Sequence, residues 1–214
     1  MNWGNRHKDK RNGKKQGWAV KNERPEEYLT GPHEYYTDLE IESYARSGGM
    51  KRAQQQLAYR ILDLLGLEKG KKLLDLGCGS GYTMDVYASE GYNVAGLDIV
   101  PGMVSKAKSK GLNVTEGDMT KLKDIFQENE FDGVVSASAL QWIKDNDRLK
   151  EVIKGIYHVL KENGRTVIQF YPKSYNEVVQ ISRMFKKQGF EGEAVIDNED
   201  DPRKRTVYLV FKKV

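Results

Sequence analysis

The chain has 214 residues, of which 38% are hydrophobic, 31% charged and 10% aromatic. That balance excludes a wholly disordered chain and fits one globular domain plus a tail; no run of 18 apolar residues is present, so no transmembrane helix is expected. The net charge is +4, and a lone cysteine, Cys78, excludes an internal disulfide or a Cys-rich zinc site.

The charge is unevenly spread. Residues 1–24 hold Arg6, Lys8, Lys10, Arg11, Lys14, Lys15, Lys21 and Arg24 against Asp9 and Glu23, a net of +6 that leaves −2 for the remainder. This arm shows no apolar period and no secretory-signal core, and reads as disordered when free. It suits a polyanion such as nucleic acid, or serves as a solvated, solubilising tail; both readings stand. Trp3 and Trp18 are out of place in a linker and suit stacking on bases or docking on a partner. The cysteine usage fits a reducing, cytoplasmic compartment.

Residues 25–49 are Tyr-rich (Tyr28, Tyr35, Tyr36, Tyr44) and are broken by Pro25, Pro32 and Gly48-Gly49. Over 50–66, Ala53, Leu57, Ile61, Leu64 and Leu65 share a helical face, with Gly66 as the stop. From residue 71, short apolar runs alternate with helical patterns. Strands are predicted at 72–76, 93–98, 112–116, 131–136 and 165–171. Helices are predicted near 82–90, 102–110, 120–127 and 147–161, the last one stopped by Gly164. This is the signature of βαβ units, with helices on both faces of a parallel sheet. A helix near 176–188 and strands at 193–197 and 206–211 follow. The polar stretch 197–205 joins the last two as an antiparallel pair.

Leu73-Leu-Asp-Leu-Gly-Cys-Gly-Ser-Gly-Tyr-Thr83 lies where a buried strand meets a helix. Glycines 77, 79 and 81 clear side chains from a turn that approaches a ligand. A dinucleotide fingerprint would need Gly at 82, where Tyr82 stands, and no Gly-Lys-Ser/Thr follows to make a phosphate loop. Asp75-Leu-Gly-Cys-Gly-Ser-Gly81 resembles the first motif of class I S-adenosylmethionine-dependent methyltransferases. The resemblance implies a Rossmann-like, seven-stranded, mostly parallel sheet with helices on both faces and a C-terminal antiparallel strand. It implies S-adenosyl-L-methionine as cofactor and S-adenosyl-L-homocysteine as product. It sets Asp75, Gly77, Cys78, Gly79, Ser80 and Gly81 against the methionine part of the cofactor. A carboxylate also suits a cationic sulfonium, whereas it would repel a pyrophosphate.

Asp98 ends the second strand, where a carboxylate can accept from two ribose hydroxyls or cap the next helix. Ile99 and Met103 follow among the expected cofactor contacts. Asp118, by resemblance, meets the adenine amino group, and Met119 lines the adenine pocket. Ser136 is placed at the carboxyl edge of the fourth strand. Gln141 and Trp142 follow on the rim, with Trp142 offering a flat face or packing in the core. Tyr171, Pro172 and Lys173 close the fifth strand on the same rim. No residue is assigned as a certain acid–base catalyst. Cys78 acts through its backbone, and His33 reads as an ordinary loop residue.

The flanks are more specific. Arg24-Pro-Glu-Glu, Tyr35-Tyr-Thr-Asp38, Ser138-Ala-Leu-Gln-Trp142 and Gln169-Phe-Tyr-Pro-Lys173 resemble the small-subunit ribosomal RNA guanine-N7 methyltransferase (bud-site-selection) family, over roughly residues 24–211. The resemblance divides 25–214 into a cap at 25–66 and an α/β core at 67–214, with Tyr36, Tyr44 and Gln54 closing over the cofactor. It implies a small zinc-binding activator protein as partner, pairing with the edge strand near 112–116, with the zinc supplied by the partner. The acceptor would be ribosomal RNA. Guanine N7 has no proton to lose, so stacking and alignment suffice without a strong base. The family's eukaryotic members carry a basic C-terminal extension, whereas here the basic arm is N-terminal. A small-molecule methyltransferase and an RNA-binding assembly factor with secondary methylation remain the alternatives.

Overall fold

The computed structural model describes Trp18 and residues 24–214. The rest of the arm, with Trp3, lies outside the described residues. The Tyr-rich segment is helical rather than irregular: α1 (Pro25–Tyr28), α2 (Pro32–Tyr35) and α3 (Asp38–Arg46). Pro25 and Pro32 stand at the first helical positions, where a missing N–H is harmless, so they start helices instead of breaking them. The long helix α4 (Gly48–Leu65) begins on Ser47, whose hydroxyl accepts from the Met50 N–H at 3.1 Å. Gly48 and Gly49 thus open α4, and the break falls at Ser47. Gly66, at φ 57°, ends α4 as expected.

The core alternates as predicted: β1 (Lys72–Leu76), α5 (Tyr82–Ser89), β2 (Asn93–Asp98), α6 (Pro101–Ser109), β3 (Val114–Glu116), α7 (Leu122–Ile125), β4 (Phe131–Ala137) and α8 (Asn146–Val159). It closes with β5 (Leu160–Phe170), α9 (Tyr175–Gln188), β6 (Phe190–Asp197) and β7 (Thr206–Lys213). The sheet order is β3-β2-β1-β4-β5-β7-β6; β1 to β5 pair in parallel, and β7 runs antiparallel to both neighbours. This is the expected seven-stranded Rossmann-like architecture.

Several boundaries differ from the sequence reading: β3 starts at Val114 instead of 112, and β6 at Phe190 instead of 193. Helix α8 stops at Val159, and β5 starts at Leu160 instead of 165. Asn163, at φ 63°, and Gly164 sit within β5, where its register against β4 slips between Phe131 and Gly133. A polar irregularity inside a strand therefore reads in sequence as a loop. The expected 120–127 helix is a 3-10 turn, Met119–Lys121, followed by the single turn of α7.

Alternating residues of β1 build the two layers. Leu73 joins Ala58, Ile61 and Leu65 of α4 and Tyr87 of α5, whereas Leu74 and Leu76 join Val152, Ile153 and Ile156 of α8 and Phe185 of α9. Crossovers reverse between β1 and β4, so the carboxyl ends of β1, β2 and β4 frame a crevice at the switch point.

Candidate active site

A cavity of about 510 Å³ opens at that crevice. Its floor is the turn after β1. Gly77 and Gly79 line it at φ 70° and 54°. A Cβ on Gly77 would lie 2.3 Å from Ala139 Cβ, so only glycine fits between the two loops. Asp98 reaches under the turn: Oδ2 accepts from Gly79 N–H at 2.7 Å and Oδ1 from Val100 N–H at 2.9 Å. Burial raises the Asp98 carboxyl above its ordinary range, and the two N–H bonds oppose the rise.

The roof is aromatic. Tyr36 packs edge-on against Tyr35 at 4.9 Å and Tyr44 at 6.1 Å, and Trp142 lies 6.3 Å from Tyr35 and 6.4 Å from Tyr36. Tyr44 stacks on Tyr82 at 5.6 Å, and the Tyr82 hydroxyl donates to Ala45 O at 2.8 Å. These contacts hold α3 over the start of α5. Burial pushes the phenols of Tyr36 and Tyr44 well above their ordinary value, so both remain O–H donors.

At the rim, Ser138 takes φ 58°, and its N–H and hydroxyl both donate to Gln169 Oε1 at 2.9 Å. A non-glycine residue in this conformation beside a cavity is strain held in place by its contacts. Gln141 Nε2 donates to Ser138 O at 2.9 Å, whereas its buried Oε1 has no partner among the described residues.

The methyltransferase-domain family matches residues 74–168. The 18S rRNA (guanine-N7)-methyltransferase bud23 of Schizosaccharomyces pombe is 34% identical over 199 residues, 87% of this chain and 73% of that protein. The 18S rRNA (guanine(1575)-N7)-methyltransferase of Saccharomyces cerevisiae is 36% identical over 191 residues, 83% of this chain and 68% of that protein. The chain belongs to the 18S rRNA (guanine-N7)-methyltransferase family. Its cofactor is S-adenosylmethionine. Among solved structures, a chain from the complex of the Haloferax volcanii Trm112 methyltransferase activator with a methyltransferase has a TM-score of 0.65 at 19% identity, covering 82% of this chain and 98% of that one. A Haemonchus contortus phosphoethanolamine N-methyltransferase bound to S-adenosyl-L-methionine has a TM-score of 0.64 at 20% identity, covering 84% of this chain and 57% of that one. At these identities the likeness is one of fold.

The cavity fits that cofactor. A Cβ on Gly79 would meet nothing within 4 Å, so the turn presents bare backbone to an open space. A buried carboxylate below and aromatic rings above suit a group with a ribose and a cationic sulfur. Asp98 would hold the ribose; Ile99, Met103 and Met119 line the same cavity, as do Cys78, Asp118, Tyr36, Tyr44 and Gln54. Asp118 is already committed: Oδ1 accepts from Thr120 N–H at 2.8 Å, and Oδ2 pairs with Arg148 at 2.9 Å. Burial raises the Cys78 thiol, which leaves it protonated and a poor nucleophile, in keeping with a backbone role.

Several expected contacts lie elsewhere. Ser136 does not face the cavity: it is 2% exposed and donates to Leu76 O at 2.7 Å, tying β4 to β1. The strand ends one residue later, and Ser138 takes the rim position. Asp75 is completely buried behind the turn, where Thr83 donates to its Oδ2 at 2.5 Å. It orders the loop from beneath. Ser80 and Gly81 turn into α5 away from the cavity, with Gly81 pressed against Leu112. Of the closing motif only Tyr171 lines the cavity. Pro172 is buried behind it, and Lys173 is exposed, its N–H bonded to Glu177 as α9 begins. Gln141, Trp142 and His33 do line the cavity; His33 stands in α2, not in a loop. Arg24, Tyr35, Ser138 and Arg148 were not singled out from sequence. Arg24, Tyr35 and Ser138 carry a signal in the quoted flanking motifs, whereas Arg148 carries none.

Proposed function

We propose that this chain transfers a methyl group from S-adenosylmethionine to N7 of a guanine in small-subunit ribosomal RNA. The observation that carries the reading is the aromatic mouth, where the Trp142 ring lies 6.3 Å from Tyr35 and 6.4 Å from Tyr36 at the lip of the cavity. A flat purine can stack on those rings with its N7 turned toward the cofactor. The relatives' names support the same acceptor.

When bound, the cofactor supplies a methyl group on a cationic sulfur. N7 offers a lone pair, the new N–C bond forms as the S–C bond breaks, and the positive charge passes to the purine. No proton moves, so the chain's work is alignment, exclusion of water and stabilisation of that charge. Trp142, Tyr35 and Tyr36 present ring faces and edges for the last of these.

A small zinc-binding activator is the partner we infer. Strand β3 has three residues and lies at the open edge of the sheet, with Thr115 and Glu116 exposed. Such an edge invites strand addition. The fold relative taken from an activator complex supports the choice.

The test is incubation with methyl-labelled cofactor and small-subunit ribosomal RNA, with and without the activator. Label in 7-methylguanosine is expected. Cofactor binding with no label in RNA in either condition would overturn the reading in favour of a small-molecule acceptor.

A further inference from the structure

Arg24 stands just ahead of α1, at its N-cap position, and lines the cavity. Its guanidinium carbon lies 4.7 Å from the centre of the Tyr171 ring, and Nη1 donates to Tyr171 O at 3.1 Å. Neither contact neutralises the charge. Among the described residues no carboxylate lies within ion-pair distance of Arg24, whereas the other arginine at the mouth, Arg148, is paired with Asp118. A guanidinium has five N–H donors in one plane, so stacking on Tyr171 and one bond to a carbonyl leave a charged donor edge unused.

A second contact of the arm falls on the next residue of the same turn. Six residues earlier, the Trp18 indole N–H donates to Pro172 O at 3.0 Å, with Arg205 stacked over the indole at 4.5 Å. Tyr171 and Pro172 are thus gripped through successive carbonyls. A planar cation already stacked on a ring and bonded to a carbonyl at the lip of a cavity pays less ordering entropy when it meets a planar or tetrahedral anion.

We propose that Arg24 is an RNA-binding residue that grips a backbone phosphate next to the target nucleotide and so seats the base against Trp142. The proposal deepens, and rests on, the ribosomal RNA reading above. Two facts select a phosphate over the other anion within reach, the cofactor carboxylate. Tyr171, on which Arg24 rests, closes β5, one strand outward from the β1–β2–β4 crevice that holds the glycine turn. The body beyond residue 24 carries a net −2, so a polyanion needs a local cation to hold it at the mouth.

The test uses Arg24→Gln, which keeps a donor for the Tyr171 carbonyl, and Arg24→Lys, which keeps the charge. Binding of a small-subunit ribosomal RNA transcript is measured across a salt series, and cofactor affinity is measured separately by calorimetry. Arg24→Gln is expected to weaken RNA binding about tenfold at low salt and to reduce the slope of log K against log salt by about 0.7–0.9, the share of one phosphate. Arg24→Lys is expected to restore the slope, and cofactor affinity is expected to stay within twofold in both. An unchanged slope in Arg24→Gln would overturn the proposal. So would loss of cofactor affinity with RNA binding intact, which would assign Arg24 to the cofactor carboxylate. The function reading fails separately, by absence of 7-methylguanosine with the wild-type chain, and the salt series is read without methyl transfer.

Discussion

Thr83 donates its hydroxyl to Oδ2 of Asp75 at 2.5 Å, while Oδ1 of the same carboxylate has no partner among the described residues. The pair joins the end of β1 to the first turn of α5 and so sets the glycine turn between them. Burial pushes the Asp75 carboxyl up to about 7, the nearby Asp98 adds to the rise, and the Thr83 bond opposes it. A carboxyl raised on folding binds more protons folded than unfolded between its unfolded value near 3.8 and 7. Its contribution to stability is therefore fully present below pH 3.8 and is lost as pH rises through 7. Asp75→Asn keeps an acceptor for Thr83 and removes the titration. Without cofactor, the wild-type chain should lose a few degrees of Tm between pH 5.5 and 8 relative to Asp75→Asn. Parallel profiles in a pH series of thermal melts would show that Asp75 is not the titrating group.

Asp98 carries two backbone bonds and lines the cofactor cavity. Asp98→Ala leaves the Gly79 and Val100 N–H groups without their acceptor and removes the carboxylate proposed to hold the ribose. Charge-assisted bonds of this kind contribute about 1.5–3 kcal/mol each, so cofactor affinity should fall at least 100-fold by calorimetry. RNA affinity should hold within about threefold, since Asp98 lies at the floor and the proposed RNA contacts lie at the rim. A variant that binds the cofactor normally would remove Asp98 from the ribose site.

The strands were legible because β1, β2 and β4 are buried on both faces and read as continuous apolar runs. The glycine turn was legible because its residue types are dictated locally: Gly77, Gly79 and Gly81 all take positive φ, which favours glycine whatever surrounds it. The roof was less legible. Tyr35 and Tyr36 are placed by three short helices whose apolar partners lie far away in sequence, so no local period announces them. Ile41, for example, packs on Val100 and Met103. Ser136 misled for a related reason. It satisfies the pattern of a strand end, but β4 continues to Ala137, and the strained Ser138 is held by Gln169, which is 31 residues away. Trp18 was read as stacking on bases or docking on a partner, whereas it packs on this chain's own Pro172 and Tyr175, contacts too distant in sequence to be read there.

Gly81 tests the turn from its other side. At φ 85° it would place a Cβ 2.1 Å from Leu112 Cδ1. Gly81→Ala must both adopt a left-handed conformation, at a cost of about 1 kcal/mol or more, and displace Leu112 from beside Ala107. A loss of roughly 2–4 kcal/mol is expected in urea unfolding, within the range of overpacked cores. Gly111, also at positive φ but with nothing within 4 Å of a Cβ, should lose only the conformational part on the same change. Equal losses at the two positions would show that backbone strain alone sets the cost.

The rim separates the acceptor from the cofactor. Trp142→Ala removes the flat face beside Tyr35 and Tyr36, and stacking of one base contributes about 1–3 kcal/mol. kcat/KM for RNA should fall 10- to 100-fold, Trp142→Phe should recover most of it, and cofactor affinity should stay within about threefold. An unchanged kcat/KM in Trp142→Ala would show that the ring does not hold the acceptor base, and a matching loss of cofactor affinity would assign the ring to the cofactor instead.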